Sequence, residues 1–169
     1  MKCGSQIGKV VSLHLHPTKS GDPFASVNEV RAEAGKGLVG DARFFGRKNQ
    51  QGEPSRRQVS LIAREQIAAH AATLALPAIA PGAVRANIET EGIDLVSLVG
   101  QEIKVGEALL LFYAARTPCG KMDLVAPGLC ALMSDNHQGV MAQVVQSGDI
   151  RVGDAIEAAA REDFTRGQI

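Results

Sequence analysis

Gln101-Glu102-Ile103-Lys104-Val105-Gly106-Glu107-Ala108-Leu109 and Gly148-Asp149-Ile150-Arg151-Val152-Gly153-Asp154-Ala155-Ile156 repeat one pattern. Each reads as a short strand, a glycine corner and a second strand. Glycine at such a corner permits the φ values and the close backbone approach that a bend in a sheet needs. Two copies are too few for a solenoid. They imply a closed or strongly bent sheet. Around them lie further short runs with strand character, at residues 8–16, 26–34, 59–62, 84–90 and 140–145. They are rich in β-branched residues and separated by turn signals. Residues 63–76 form the one convincing helix, rich in Ala, Glu and Gln, with Ile67, Ala71, Leu74 and Ala75 at helical spacing and Pro77 as the stop. Residues 94–99 read as one helical turn and residues 128–134 as a short helix. The stretches 17–23, 35–40 and 43–56 are loops. The expected fold is mainly β (α+β), a barrel-like mixed β-sheet with one main helix and one or two short ones. Helices are too few for a doubly wound α/β fold.

With 169 residues, a single domain is expected over 1–169, its core at about 8–158 and its ends frayed. Hydrophobic residues make up 45% and aromatics only 4%, with no Trp, so the core must be built from Ala, Val, Ile and Leu. The 18 basic and 18 acidic residues cancel, which argues against a nucleic-acid partner. Local basic clusters can still bind small anions. The N-terminal residues lack the apolar segment of a secretory leader, and no run is long enough to span a bilayer. A soluble, cytoplasmic protein without a membrane partner is expected. Cys3, Cys119 and Cys130 are odd in number, widely spaced and free of any CxxC, which points to reduced thiols rather than a disulfide or zinc framework.

Cys119 stands apart. It lies in Arg116-Thr117-Pro118-Cys119-Gly120-Lys121, directly after the apolar run Ala108-Leu109-Leu110-Leu111-Phe112-Tyr113. The proline ends the strand and leaves the thiol at its mouth. Flanking cations favour the thiolate, which is both the nucleophile and the soft metal ligand. The alternative is a small buried hydrophobe. Cys130 sits in an apolar stretch suited to a core, and Cys3 in a terminus.

Several short motifs follow one another: Gly37-Leu38-Val39-Gly40-Asp41-Ala42-Arg43; Arg57-Gln58-Val59-Ser60-Leu61-Ile62 with Glu65; Pro81-Gly82-Ala83-Val84-Arg85-Ala86-Asn87-Ile88; Gly92-Ile93-Asp94-Leu95; Ile103-Lys104-Val105-Gly106; Thr117-Pro118-Cys119; Gly139-Val140-Met141-Ala142; and Ile150-Arg151-Val152-Gly153-Asp154. Each is weak alone. As an ordered set they resemble the MOSC domain, the module named for the C-terminal part of molybdenum cofactor sulfurases. The resemblance covers residues 8–158. It implies a barrel-like β fold and matches Cys119 to the family's characteristic cysteine. That cysteine is the implied molybdenum ligand in members that reduce N-hydroxylated compounds, or the residue that helps deliver sulfur in the sulfurases. The implied cofactor is the molybdenum cofactor, molybdopterin. Pyridoxal phosphate is not expected, because it belongs to a separate desulfurase domain for which this chain is too short. Two positions depart from common patterns: Ala86 stands before Asn87 where many members have an acidic residue, and Gln143 stands where many have Arg.

A pterin–molybdenum site needs a thiolate for the metal, cations for the cofactor's phosphate, and amide or hydroxyl groups for its ring. Cys119 is the expected metal ligand and catalytic residue. Arg57, Arg85, Asn87, Thr117 and Lys121 are the expected cofactor-binding residues. Each has a plainer alternative. Arg57 suits a solvated loop edge, Asn87 suits a turn, and Lys121 suits a neighbour of the thiol. Asp41 reads as a turn or cap residue. His14 and His16 share a strand face but lack a third ligand, so they read as surface residues. No iron–sulfur or flavin motif is present, so reduction would require an electron-donating reductase as partner. A carrier role would instead require a cofactor-biosynthesis partner. A cofactor carrier without catalysis and a metal-free persulfide carrier are the competing functions.

Overall fold

Residues 7–158 are described by a computed structural model. They run through β1 (Ile7–Leu15), β2 (Ala25–Val27), β3 (Glu29–Glu33), β4 (Gly37–Leu38), β5 (Val59–Ala63), α1 (Arg64–Thr73), β6 (Ile88–Glu91), a 3-10 turn (Val96–Leu98), β7 (Glu102–Val105), β8 (Ala108–Ala115), α2 (Met122–Val125), α3 (Leu129–Leu132), β9 (Val140–Gln146), β10 (Gly148–Arg151) and β11 (Ala155–Ala158). Seven strands close into a mixed barrel in the order β11-β7-β8-β9-β5-β6-β1, and the β1–β11 pairing seals it. Only β5 and β6 run parallel, joined through the crossover that contains α1. β2 extends the sheet beside the far end of β1. A second sheet, β10-β3-β4, packs on the barrel, and its Val30, Ala32, Leu38 and Ile150 join the barrel's buried cluster.

The two echoed stretches pack against each other. Ile156 pairs with Val105 across β11 and β7. Gly106 N donates to Ala155 O at 3.0 Å and Glu107 N to Asp149 O at 3.0 Å. Both corner glycines have positive φ, 58° at Gly106 and 96° at Gly153. The copies nevertheless differ in use. β7 and β8 form a hairpin, whereas the second corner carries the chain from the small sheet into the barrel.

Alternation assigns the faces. Ile103 and Val105 point inward while Glu102 and Lys104 face solvent. On β5, Leu61 enters the barrel core, and Ile62 on the other face joins a second cluster with Ile67, Ala71, Met122, Leu129 and Met133. That cluster seats α1, α2 and α3 against the barrel wall.

Three local expectations change. Residues 26–34 are two strands in different sheets, because β2 pairs with β1 and β3 with β10. The expected strand at 84–90 is ordered as β only from Ile88; upstream, Arg85 adopts φ 61° in a turn where Arg85 N donates to Gly82 O at 3.0 Å. The helix ends at Thr73, before Pro77 acts. Leu76 N donates to Ala71 O at 2.9 Å and Ala75 N to Ala72 O at 3.1 Å, with Ala75 left-handed at φ 58°. This is a Schellman stop with alanine where glycine is preferred. α2 was not legible in the sequence. The expected frayed ends, including residues 161–169, lie outside the described residues, as does Cys3.

The Schellman stop gives a prediction. Ala75→Gly relieves the left-handed strain and should stabilise the fold by about 1 kcal/mol in thermal or urea unfolding. A decrease would show that the alanine methyl contributes more through packing than it costs in strain.

Candidate functional site

The side chains of β5, β8 and β9 that point away from the barrel interior build one wall of a cavity of about 670 Å³. Ser60, Tyr113, Ala115 and Met141 line it, while their neighbours Leu61, Phe112, Val140 and Ala142 fill the barrel core. A register shift between Phe112 and Ala114 interrupts the β8–β9 ladder at Tyr113. Such a bulge re-aims a side chain. Tyr113 stacks under Arg56, whose guanidinium carbon lies 4.2 Å from the ring centroid. Burial raises the Tyr113 phenol pKa, against the lowering effect of Arg57 and Arg56.

The thiol loop follows β8. Arg116 N donates to Gly139 O at 2.9 Å, and Met122 N to Cys119 O at 3.0 Å. Gly139 has φ 83°, and a Cβ there would stand 1.9 Å from Leu61 O. Only glycine lets the chain enter β9 so close to β5. Met122 is buried in the second cluster and anchors the far end of the loop. Between these anchors Cys119 is exposed on the cavity rim, beside exposed Thr117.

The opposite wall is held by Asp41. Its Oδ1 accepts from Arg43 N at 3.1 Å and Phe44 N at 2.8 Å. Its Oδ2 accepts from His16 N at 2.9 Å, His16 Nδ1 at 2.8 Å and Asn87 Nδ2 at 2.9 Å. Burial pushes the Asp41 carboxyl up, but the hydrogen bonds from His16 and Phe44 outweigh it and leave the pKa below 3.8. The His16 ring packs against Phe24 and Phe44 at centroid distances of 4.3 and 4.6 Å. Those aromatics in turn carry cations: Arg85 lies 4.6 Å from the Phe24 centroid and Arg57 5.9 Å from that of Phe44. Stacking of this kind leaves guanidinium N–H groups free for a planar anion.

Among the described residues six cations line the cavity, namely Arg43, Arg47, Arg57, Arg85, Arg116 and Lys121, and no carboxylate does. Arg116 is the most constrained. Its guanidinium reaches only two carbonyls, Gln138 O at 3.5 Å and Arg85 O at 3.4 Å. Burial, then repulsion from Arg57, pushes its pKa down to about 10, with Cys119 acting in the opposite sense. It is still a cation at neutral pH, and it lacks a carboxylate partner among the described residues. A half-buried cation with cationic neighbours gains from an anion beside it.

The cavity gathers Cys119, Arg57, Arg85, Thr117 and Lys121 from three separate segments. Asn87 is the exception. It is fully buried, its Oδ1 accepts from Ser60 N and Ser60 Oγ, and its Nδ2 donates to His14 O and Asp41 Oδ2. All four hydrogen-bonding positions of the amide are filled, so Asn87 braces the floor and offers nothing to a ligand. The expectation of surface histidines is also corrected. His14 is buried with its ring bonded to Ser12 and Ser26, and His16 is bound to Asp41. Burial lowers the His14 pKa from 6.5, and Arg64 adds to this against the opposing effect of Glu89. Gln143 accepts from Arg56 Nε at 3.2 Å and does not line the cavity. Cys130 is half-buried against the second cluster.

Sequence reading missed Arg43, Arg47 and Gln138 as cavity residues. The Gly40-Asp41 turn was the available signal for the first two, because an Asp at a turn caps the amides that follow it. Among the described residues there is no group of three or more His, Cys, Asp or Glu side chains able to hold a metal ion, and no helix long and apolar enough to cross a membrane.

The MOSC domain family model matches residues 22–157. The chain belongs to the MOSC domain family. The fold is similar to the YuaD protein from Bacillus subtilis, with TM-score 0.76 and 22% identity over 91% of this chain and 96% of that one. It is also similar to YiiM from Geobacillus stearothermophilus (TM-score 0.70, 18% identity, 91% and 76% covered) and YiiM from Escherichia coli (0.64, 19%, 90% and 70%). No curated protein matches in sequence. Four of the motifs contribute residues to this cavity, namely Arg43, Arg57 with Ser60, Arg85, and Met141, and Thr117 and Cys119 form part of its rim.

The buried titrating groups set the acid response. The folded-state pKa of His14 lies below 6.5, so the unfolded chain takes up the proton first and stability falls as pH drops below 6.5. Asp41 lies below 3.8, so its contribution is present above 3.8 and is lost as pH falls through the lower folded value. Melting temperature measured from pH 8 to pH 3 should show both limbs. His14→Gln should flatten the upper one. Asp41→Asn should flatten the lower one and cost about 3 kcal/mol at neutral pH, because an amide nitrogen would then face backbone donors. An unchanged acid profile in both variants would place the sensitivity elsewhere.

Proposed function

We propose that this MOSC protein binds the molybdenum cofactor, with Cys119 as the metal ligand or sulfur acceptor. The observation that carries the reading is an exposed thiol on the rim of a cavity that, among the described residues, is lined by six cations and no carboxylate. The donor set fits the group. A thiolate suits a soft, high-valent metal that arrives with its own dithiolene ligands. Arg57, Arg85, Arg116 and Lys121 would hold the cofactor's phosphate, and the Thr117 hydroxyl would hydrogen-bond it. When bound, the cofactor would supply the two-electron redox chemistry, with N-hydroxylated compounds as the substrate class.

The chain's own residues do the rest. Arg116 and Arg57 keep a positive field beside the thiol. Asp41 holds the Arg43–Arg47 turn against the opposite wall. Electrons would come from a partner reductase, for which the exposed rim around Cys119 leaves room. A non-catalytic carrier would use the same cavity and exchange the cofactor with a biosynthetic partner. A metal-free persulfide carrier would need only the exposed thiol and leaves the six cations without a purpose.

Molybdenum and oxidised pterin should be measured on protein purified from a host that makes the cofactor, alongside Cys119→Ala and Arg57→Ala. Stoichiometric metal in the parent, lost in Cys119→Ala and reduced in Arg57→Ala, is the expected result. Pterin that persists in Cys119→Ala would favour the carrier. Absence of both metal and pterin from the parent would end the cofactor reading. Turnover of a hydroxylamine with an added reductase then separates enzyme from carrier.

A further inference from the structure

Gln138 is 2% exposed, yet it lines the cavity. Its side chain makes no hydrogen bond among the described residues, and its Oε1 is buried without a partner. Native structures seldom leave a buried amide oxygen unmade, because the desolvation is uncompensated. The neighbouring groups do not relieve it. Arg116, the nearest cation, donates to the Gln138 main-chain carbonyl at 3.5 Å and not to its side chain. Gly139 fixes the backbone that follows, since a Cβ there would stand 1.9 Å from Leu61 O. The amide is therefore buried, its oxygen unpaired, on a main chain held close to the Arg116 guanidinium.

We infer that Gln138 is the ring-recognition residue of this cavity, reading the amide-like edge of a 2-amino-4-oxo-pyrimidine ring on a ligand that also carries an anionic group. This deepens the cofactor reading and rests on it for the identity of that ligand. A carboxamide offers one acceptor and two donors in a plane. The lactam edge of a pterin offers the complementary N–H and C=O side by side. Two parallel hydrogen bonds of this type discriminate by about tenfold or more against a ring that lacks them. Arg116 sits where the anion would complete the match.

Two fluorescent probes test this on the full chain produced in a host that makes no cofactor. Pterin-6-carboxylate carries the ring edge and an anion; 2-naphthoate is an anionic bicycle with no edge to read. The parent should prefer pterin-6-carboxylate by about tenfold or more. Gln138→Met should abolish that preference and leave 2-naphthoate binding unchanged. It should melt no lower than the parent, since it removes an unpaired buried acceptor. An equal preference in the variant, no preference in the parent, or a marked loss of melting temperature in Gln138→Met would each overturn the inference. The expected preference in the parent, together with no molybdenum in protein purified from a host that makes the cofactor, would uphold ring recognition and overturn the metal reading alone.

Discussion

The Asn87 amide is the constraint on which the site depends. Its side chain joins β5 through Ser60, β1 through His14 O, and the Asp41 turn through Oδ2. None of these segments is adjacent in sequence. A fully satisfied buried amide is strongly directional, because any shift leaves a donor or acceptor unpaired in a low-dielectric interior. Through Asp41 the same constraint extends to His16 and the amides of Arg43 and Phe44, which set the far wall of the cavity. The position of the cationic wall is thus decided largely from beneath, through the buried Asn87 and Asp41 side chains.

Charge is distributed with the same logic. The chain as a whole is neutral, with 18 basic and 18 acidic residues, yet the charged side chains of the described residues that line its cavity are all Arg and Lys. The acidic residues near this region are committed elsewhere. Glu89 is buried against Arg64 at 2.8 Å and the Gly82 amide at 2.7 Å, and Asp41 is occupied by backbone and His16. Away from the cavity, Arg151 lies within 4 Å of Glu29, Glu107 and Asp149. Exposed pairs of that kind contribute little to stability. Cations in the cavity oppose folding: burial first, and then repulsion from Arg57, lowers the Arg116 pKa. A fold retains such a feature where a ligand's charge completes it.

Much of the fold was legible because its signals were local. The echoed strand–glycine–strand stretches gave the closed sheet, and both corners adopt positive φ. Alternating strands and the Ala-rich helix were visible for the same reason. What stayed hidden depended on distant partners. Nothing near Asn87 in sequence says that Ser60, His14 and Asp41 will saturate it, so a buried brace and a ligand-binding amide look alike. His14 and His16 read as surface residues because their partners, Ser26 and Asp41, come from later segments. Arg85 sat inside an apparent strand because a left-handed arginine has no sequence signature. Thr117-Pro118-Cys119 was legible, since a proline after a buried run ends the strand whatever surrounds it.

The same contrast separates the thiol from its setting. Cys119 is placed by short-range rules, between a strand end and the start of α2, and would be exposed on many β scaffolds. Its chemistry depends on what the barrel wall brings beside it. Arg116 lies three residues away, but its guanidinium is confined by Gln138 and Arg85, which come from the entry to β9 and the turn before β6. Gly139 permits that approach, and Asn87, two residues after Arg85, holds the turn that Arg85 occupies to β5 and β1. A substitution remote from the thiol can therefore alter the field at the thiol while leaving its exposure unchanged. The cavity, rather than the cysteine motif, is the unit that the fold assembles around the thiol.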